Sequence, residues 1–343
     1  MKKVIFATAM LFVWSSIIYA QGQRLRWEYR NESSWYDQAN DVVYGDDGYI
    51  YAAGFISNGI GGNDFTVVKL SPTGGEAWIQ RYSRNANCFG HCANALVRGW
   101  MGYIYAAGST MPSANILGLT VLKLDPADGH VDKTFHYDKG QYIDNSANDI
   151  VSGPGGYLYV AGYTSNRVRA EGKDFSVIRL DPVNLEEQGF YNPPGPANNE
   201  DEAKAVVYGG DGYIYAAGFC TSVGTMHDLR VVKLDPNDLS EIGTPYTYNY
   251  TGVNRNDEAT SLVYGDDGCV YVAGFRTRNN NGNKDFLVIK LDSDLNEQWV
   301  YVFNDNVEGE NIANAITYGA DGNIYAVGRT DQTTRSPDFT VIS

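Results

Sequence analysis

The chain has 343 residues, of which 43% are hydrophobic and 13% aromatic, and its formal net charge at pH 7 is −15. That length allows two ordinary domains or one repeat fold with a large core. The acidic balance argues against nucleic acid and anionic lipid as partners, and it leaves cations and neutral ligands such as glycans open. The 26 tyrosines favour half-buried β-strands over helices.

The first twenty residues differ from the rest of the chain. Lys2 and Lys3 precede an apolar run from Val4 to Tyr19, and Ala20 is a small residue at the point of cleavage. This order is typical of a secretory signal peptide, and the run is short for a membrane span. We therefore expect residues 1–20 to be removed and residues 21–343 to form one domain, secreted or periplasmic. An uncleaved anchor is the alternative.

A ten-residue pattern, Gly-x-x-Gly-x-x-Tyr-x-x-Gly, occurs six times. The copies begin at Gly45, Gly99, Gly153, Gly209, Gly265 and Gly319, so that the period is 54 to 56 residues. A period of this length with several strands in each unit is typical of an array of β-sheet blades rather than a helical solenoid.

Each repeat predicts four short antiparallel strands. In the first repeat these are residues 39–44, 49–54, 64–70 and 76–82, with a tight glycine turn between the first two. The second strand ends in small residues, whereas the fourth carries a large aromatic residue: Trp27, Trp78, Phe135, Phe190, Tyr248 or Trp299. Because blades narrow toward a propeller axis, this gradient distinguishes inner from outer strands.

The two ends of the sequence complement each other. Residues 25–29 (LRWEY) have the pattern of a fourth strand without the three that should precede it, and residues 338–343 (DFTVIS) have the pattern of a third strand without a fourth. We therefore predict an all-β, six-bladed β-propeller of four-stranded antiparallel blades. The N-terminal strand would join the last blade and close the ring.

These units resemble the bacterial β-propeller repeats named SBBP or delta-60. The family combines an Asp/Asn-Ala-x-x-(Val/Ile) strand, the Gly-x-x-Tyr-x-x-Gly strand and an Asp-Phe-x-(Val/Leu)-x-Lys-Leu-Asp strand, seen here as DFLVIKLD at 285–292. The resemblance covers residues 24–343 and implies the fold, but little about activity, because the family is mostly uncharacterised exported protein. Lys204 and Thr260 depart from the asparagine of the other repeats, and Gly118-Leu119 departs from Asp-Phe.

Two sets of loops are long and differ from repeat to repeat. One set joins each fourth strand to the next first strand, and the other joins second to third strands. In a propeller both sets emerge on the same face, which we call the loop-bearing face. Variable loops on a rigid scaffold commonly carry recognition, so this face is the predicted binding face.

Each repeat places a polar residue two positions before the alanine of its first strand. These residues are Asp37, His91, Asn145, Asp201, Asp257 and Asn311. By symmetry they form a ring at the mouth of the central channel, where oxygen ligands would suit Ca²⁺ or another ligand. The alternative is that each side chain caps its own loop by bonding to backbone N–H groups, since a residue repeated in every blade is more often architectural.

Aromatic and cysteine residues also lie in the loops before the first strands. The aromatic residues are Trp35, Tyr36, Phe89 and Tyr142, and flat rings beside amides and carboxylates suit sugar rings. Covering the ends of blades is the alternative role.

Cys88 and Cys92 flank Phe-Gly-His, and in an exported protein they predict a small disulfide loop. A zinc site with His91 is the alternative, but it lacks a fourth ligand. Cys220 and Cys269 should lie too far apart for a bridge and are expected to be buried free thiols.

No residue pattern certifies catalysis. At the channel mouth only His91, Lys204, Glu202 and Glu258 depart from the repeat in a way that could serve chemistry, and the sequence places His130 and His136 on the opposite face. We therefore expect a monomeric, non-catalytic, exported propeller that binds a glycan or an extracellular protein, with no cofactor beyond a possible Ca²⁺. The alternatives are a propeller enzyme of lyase, lactonase or glycosidase type, by fold analogy alone, and a structural or display protein.

Overall fold

The computed structural model describes residues 28–30, 36–59, 62–85, 90–113, 116–138, 144–165, 172–193, 200–222, 226–250, 255–278, 282–303, 309–331 and 338–343. Within these ranges the regular structure is β-strand, apart from two short 3₁₀ turns at Trp100–Gly102 and Pro154–Gly156. No helix in the described part of the chain is long and apolar enough to cross a membrane.

The strands form six antiparallel sheets that follow one another along the chain. Sheet 1 contains β1 (Gln38–Tyr44), β2 (Ile50–Ser57), β3 (Asn63–Leu70) and β4 (Glu76–Tyr82); sheet 2 contains β5 (Cys92–Arg98), β6 (Ile104–Ser113), β7 (Ile116–Leu124) and β8 (Val131–Tyr137). Sheet 3 contains β9 (Ser146–Ser152), β10 (Leu158–Ser165), β11 (Lys173–Leu180) and β12 (Glu187–Tyr191); sheet 4 contains β13 (Glu202–Tyr208), β14 (Ile214–Thr221), β15 (His227–Leu234) and β16 (Tyr246–Tyr248). Sheet 5 contains β17 (Glu258–Tyr264), β18 (Val270–Thr277), β19 (Lys284–Leu291) and β20 (Glu297–Phe303), and sheet 6 contains β21 (Ile312–Tyr318), β22 (Ile324–Thr330) and β23 (Asp338–Ile342).

The all-β, propeller-like architecture predicted from the repeat is confirmed, with six antiparallel sheets, whereas the fourth strand of sheet 6 and the closure of the ring stay predictions. The first strands of successive sheets contact one another, and the sheets pack face to face. Between sheets 2 and 3, for example, Leu119 and Val121 pack with Val160 and Ile178, all fully buried. Alternate residues of each strand thus face the preceding or the following sheet, as the period of two requires.

The last glycine of each repeat is required by a close approach of two strands. A Cβ on Gly54 would lie 1.9 Å from the carbonyl oxygen of Gln38, and the corresponding glycines of the other sheets meet a backbone oxygen at 1.9 to 2.0 Å. Opposite this glycine, the first strand of every sheet contains an irregularity in register, between Ala39 and Asp41 in sheet 1. The glycine therefore makes room for a β-bulge.

The bulged residue connects neighbouring sheets. Asn40 donates a hydrogen bond through its amide nitrogen to the Ala93 carbonyl at 2.8 Å, and Asn94 and Asn148 bond in the same way to the first strands of sheets 3 and 4 at 2.7 Å. Thr260 makes the corresponding bond to the Ala313 carbonyl at 2.6 Å. Asparagine at this position is thus explained by architecture rather than by ligand binding.

The opposite end of the sheets, the turn-bearing face, carries a second repeated cluster. In sheet 4 the Asp211 carboxylate accepts a hydrogen bond from Tyr215 Oη at 2.6 Å and pairs with Lys233 Nζ at 2.9 Å. The same Asp–Tyr–Lys arrangement occurs in sheet 1 around Asp47 and in sheet 5 around Asp267. It explains why the repeat contains Gly-x-Asp-Gly-x-x-Tyr, followed later by a lysine in the third strand.

Candidate functional site

One polar side chain in each sheet caps the loop that follows the second strand. These are the six residues of the predicted ring, and each accepts a backbone N–H twenty residues further along the chain: Asp37 from Ser57 at 2.9 Å, His91 from Met111 at 3.1 Å, Asn145 from Ser165 at 2.8 Å, Asp201 from Thr221 at 2.6 Å, Asp257 from Thr277 at 2.8 Å and Asn311 from Asp331 at 3.0 Å. Such bonds are what the capping alternative predicts.

The backbone of these caps also joins neighbouring sheets. The N–H of Asp201 donates to the Lys173 carbonyl at 2.7 Å, and that of Asp257 donates to the His227 carbonyl at 2.7 Å. Every cap except Asp37 is at most 2% exposed. Side chains that are buried and bonded to the backbone have little surface to offer a ligand. The ring as a ligand site stays a prediction.

Burial shifts the pKa of several caps. It raises the pKa of Asp201 to about 6, against the opposing effect of the Thr221 N–H, and it raises the pKa of Asp257 as well. Burial also lowers the pKa of the His91 imidazole, which disfavours its charged form. In the described residues, no group of three or more His, Cys, Asp or Glu side chains could hold a metal ion. Calcium at the ring stays a prediction.

The predicted aromatic and disulfide residues fall mostly outside the described residues. Trp35, Phe89, Tyr142 and Cys88 lie there, so the Cys88–Cys92 disulfide stays a prediction. Tyr36 is 72% exposed, and its hydroxyl donates to Gln38 Oε1 at 2.7 Å.

Of the other two cysteines, Cys220 is a buried free thiol as expected, whereas Cys269 is only half-buried.

The regular bonding between sheets changes between sheets 4 and 5. Lys204 stands where three other sheets use asparagine to reach the next first strand, and its ammonium instead pairs with Glu202 Oε1 of its own sheet at 2.8 Å. Glu202 also accepts the Asn148 amide at 2.8 Å. The Lys204 side chain retains 32% exposure, whereas that of Glu202 is 8% exposed. A bond of the architecture is here replaced by a solvent-accessible cation.

A histidine and a glutamate face each other beside this lysine. His227, the first residue of β15, has its Nδ1 2.8 Å from Oε1 of Glu258, the first residue of β17. The imidazole stacks on Phe219, with ring centroids 3.9 Å apart and planes 12° apart. Both polar side chains keep about a fifth of their surface exposed, at 20% and 17%. A carboxylate on one ring nitrogen orients the imidazole and leaves Nε2 as its second hydrogen-bonding atom.

Three arginines lie on the outer side of the same boundary. Arg276 Nε pairs with Asp285 Oδ2 at 3.0 Å, and Arg278 Nε lies 3.5 Å from the other oxygen of the same fully buried carboxylate. The Arg255 guanidinium donates to the Arg278 carbonyl at 2.7 Å. The Arg276 guanidinium lies 3.7 Å from the ring centroid of Tyr250, which is 40% exposed.

We call this region of the loop-bearing face the sheet 4–5 seam; it contains Lys204, His227, Arg255, Glu258, Arg276 and Arg278. The sequence identifies Lys204 and Glu258 as candidates but not His227 or the three arginines. The sequence signal for the arginines is that all three differ from the residues at the same positions of the other repeats. The prediction that His136 lies on the opposite face is wrong. His136 lies next to the last residue of β8, where its Nδ1 contacts Thr120 Oγ1 at 3.0 Å.

Comparisons with known proteins concern the fold. No protein-family model matches the sequence, and no curated protein matches it. The resemblance to SBBP or delta-60 repeats therefore rests on the motifs alone.

Among solved structures, the chain is similar to a protein of unknown function from Dyadobacter fermentans, with a TM-score of 0.51, 12% identity, and coverage of 91% of this chain and 95% of that one. It is also similar to a protein of unknown function from Bacteroides caccae (TM-score 0.46, 14% identity, 81% and 85% coverage) and to a polysaccharide lyase described as an ulvan lyase (0.48, 11%, 83% and 74%). At these identities the likeness is one of architecture.

Proposed function

We propose that this chain is an exported, non-catalytic protein that binds a glycan at the sheet 4–5 seam of its loop-bearing face. One observation carries the proposal. At this boundary the Asn-to-carbonyl bond between sheets is replaced by accessible donors and acceptors, whereas the bonding elsewhere serves the fold. Lysine, imidazole, guanidinium and carboxylate groups beside a tyrosine supply the directed hydrogen bonds that sugar hydroxyls require. The signal-like pattern of residues 1–20 supports export.

The proposal is tested by thermal unfolding of residues 21–343 with a panel of neutral and acidic polysaccharides. A ligand at one hundred times its Kd stabilises the folded state by about 2.7 kcal/mol, so that the melting temperature rises by several degrees. Lys204→Asn should reduce this rise. Lys133→Asn removes the same charge from an exposed position on β8 and should leave the rise unchanged. A melting temperature that no polysaccharide alters would refute the proposal.

A catalytic role is the second candidate, and the His227–Glu258 pair favours it. A carboxylate that orients an imidazole is a recurrent arrangement for proton transfer. Product release from any polysaccharide that binds, measured by reducing-end or ultraviolet assay, tests this role. Turnover that His227→Gln abolishes without loss of binding would replace the non-catalytic proposal. Binding without turnover would retain it.

We also propose that the segment ending at Tyr29 forms the outer strand of sheet 6 and closes the ring. The support is a bond that repeats between sheets. Tyr191 of sheet 3 donates to Glu241 of sheet 4 at 2.5 Å, and Tyr246 of sheet 4 donates to Glu297 of sheet 5 at 2.5 Å.

Tyr29 donates in the same way to Glu76, the first residue of β4, and packs on Val68 and Leu70 of sheet 1. Tyr29 thus has the same position relative to sheet 1 as Tyr191 has relative to sheet 4. Residues 25–27 of the predicted strand lie outside the described residues.

Phe339 provides the test of closure. It is 83% exposed, whereas Phe65, Phe175 and Phe286 at the same position of other sheets are at most 2% exposed. If sheet 6 closes onto sheet 1, Phe339→Ala should destabilise the protein by about 3 kcal/mol, as for a core phenylalanine. If the ring stays open, the substitution should change the free energy of unfolding by less than about 0.5 kcal/mol. Phe286→Ala is the matched buried control for urea denaturation.

A further inference from the structure

The six sheets allow each residue to be compared with five structural equivalents in the same chain. Register places Arg276 opposite Asp285, and the equivalents of Arg276 are Ile56, Thr110, Thr164, Cys220 and Thr330. None of these is basic, so the scaffold does not need an arginine at this position. The arginine is specific to sheet 5.

The other two arginines are equally specific to this sheet. Arg278 follows the capped residue Thr277, and the corresponding residues of sheets 1, 2 and 4 are Asn58, Pro112 and Ser222. Arg255 lies two positions before the cap Asp257, where the other repeats have Trp35, Phe89, Ile143, Asn199 and Gly309. Three departures of one charge type therefore coincide at one place, in a chain whose net charge is −15.

Three guanidinium groups lie close together at this place in an acidic chain. Arg276 and Arg278 share the Asp285 carboxylate, and Arg255 lies against the backbone of Arg278. Asp257 lies near both Arg276 and Asp228, and its two oxygens already accept the N–H groups of Thr277 and Tyr250. Clustered guanidinium groups repel one another in a partly buried site, so their arrangement favours an anion that lies among them.

Arg276 Nε pairs with Asp285 at 3.0 Å and its guanidinium also bonds to the Tyr248 side chain, whereas Arg278 Nε lies 3.5 Å from the other oxygen of Asp285. The side chains are 14% and 19% exposed, so these groups are partly desolvated but reachable from the loop-bearing face. A planar guanidinium in this setting binds two oxygens of a carboxylate or sulfate at once. The exposed Tyr250 ring beside Arg276 supplies an apolar surface for the attached sugar.

We propose that Arg255 and Arg278, supported by Arg276, bind the acidic group of an anionic glycan, either the carboxylate of a uronic acid or a sulfate ester. This inference rests on the proposed function and specifies its ligand class. Arg276 acts as a positioning residue, because its guanidinium is held both by the buried Asp285 at 3.0 Å and by the Tyr248 side chain.

The test compares charged polymers with their neutralised forms. The probes are polygalacturonate and its methyl ester, and sulfated galactan and its desulfated product, with Kd measured by affinity electrophoresis at fixed ionic strength. We expect the charged member of one pair to bind at least tenfold more tightly than its neutral form. In the double variant Arg255→Gln, Arg278→Gln this preference should be lost. The pair that shows the preference identifies carboxylate or sulfate as the acidic group.

A charge-matched control separates local binding from the general field. Arg81 pairs with Asp64, the sheet 1 equivalent of Asp285, and Arg98 pairs with Asp46 on the surface. The double variant Arg81→Gln, Arg98→Gln should keep the preference. Equal loss in both double variants, or equal binding of charged and neutral polymers, would overturn the inference and leave the glycan proposal standing. Absence of binding to all four polymers would overturn this inference, while the wider polysaccharide panel decides the proposed function.

Discussion

The two faces of the sheets use the same residue types in opposite ways. On the turn-bearing face, charges form closed clusters that repeat: Asp211, Tyr215 and Lys233 satisfy one another in sheet 4, and sheets 1 and 5 contain the same set. On the loop-bearing face, the caps and the bonds of the bulged residues repeat. The side chains around them diverge, and the divergence concentrates at the sheet 4–5 seam. Charged side chains that recur in several sheets stabilise the fold, and charged side chains that depart from the repeat mark the candidate site.

The largest expected effect lies on the turn-bearing face. Asp211→Ala removes the acceptor of Tyr215 and the counter-charge of Lys233, whose side chain is 6% exposed. A buried cation left without its partner costs about 3 kcal/mol or more. Urea denaturation measures the loss, and binding of any ligand at the loop-bearing face should be unchanged.

The control for this prediction is Asp46→Ala. Asp46 pairs with Arg98 on the surface, where a salt bridge contributes at most about 1 kcal/mol. Equal losses in Asp46→Ala and Asp211→Ala would contradict the interpretation of the turn-bearing face as a set of buried, closed clusters.

The second effect concerns the caps and depends on pH. Asp201 has its pKa raised to about 6 in the folded protein, mainly by burial. A raised carboxyl pKa means that the folded state holds its proton more tightly than the unfolded state. Stability from this group is therefore present below pH 4 and is lost as pH rises through 6.

Asp201→Asn should remove that loss, because Asn145 and Asn311 make the same capping bond in other sheets. We expect a stabilisation of about 2 kcal/mol at pH 7 that disappears at pH 4. Asp201→Ala lacks the acceptor and should destabilise the protein by about 1 kcal/mol at pH 4. Urea titrations at both pH values measure these differences. A pH-independent effect of Asp201→Asn would show that burial does not set this pKa.

The smallest effect on stability is expected at the seam. Lys204→Asn restores the asparagine whose amide joins the first strands of sheets 1 to 4. We expect the new amide to donate a hydrogen bond to the Ala259 carbonyl. We expect a gain of about 1 kcal/mol in the free energy of unfolding together with weaker ligand binding. A loss of stability would mean that the Lys204–Glu202 pair belongs to the architecture after all.

The repeat predicts the fold because its signals are local. Turn glycines, alternation and a fixed period predict the four strands of each sheet, and β4 agrees with the prediction at both ends. The candidate site is harder to predict, because it depends on contacts between sheets. His227 and Glu258 are 31 residues apart, and Arg255 meets Arg278 across two loops. Departures from the repeat were visible in the sequence, but only the packing of sheets 4 and 5 shows that they coincide.

The most direct measurement is hydrogen–deuterium exchange of residues 21–343, free and bound to the polysaccharide that raises the melting temperature most. The account predicts that binding slows exchange at residues 255–258 and 276–278. The equivalent residues 56–58 of sheet 1 and the turns at 209–213 and 265–269 should be unaffected. Protection spread evenly over the six sheets, or confined to the turn-bearing face, would contradict the claim that departures from the repeat mark the binding site.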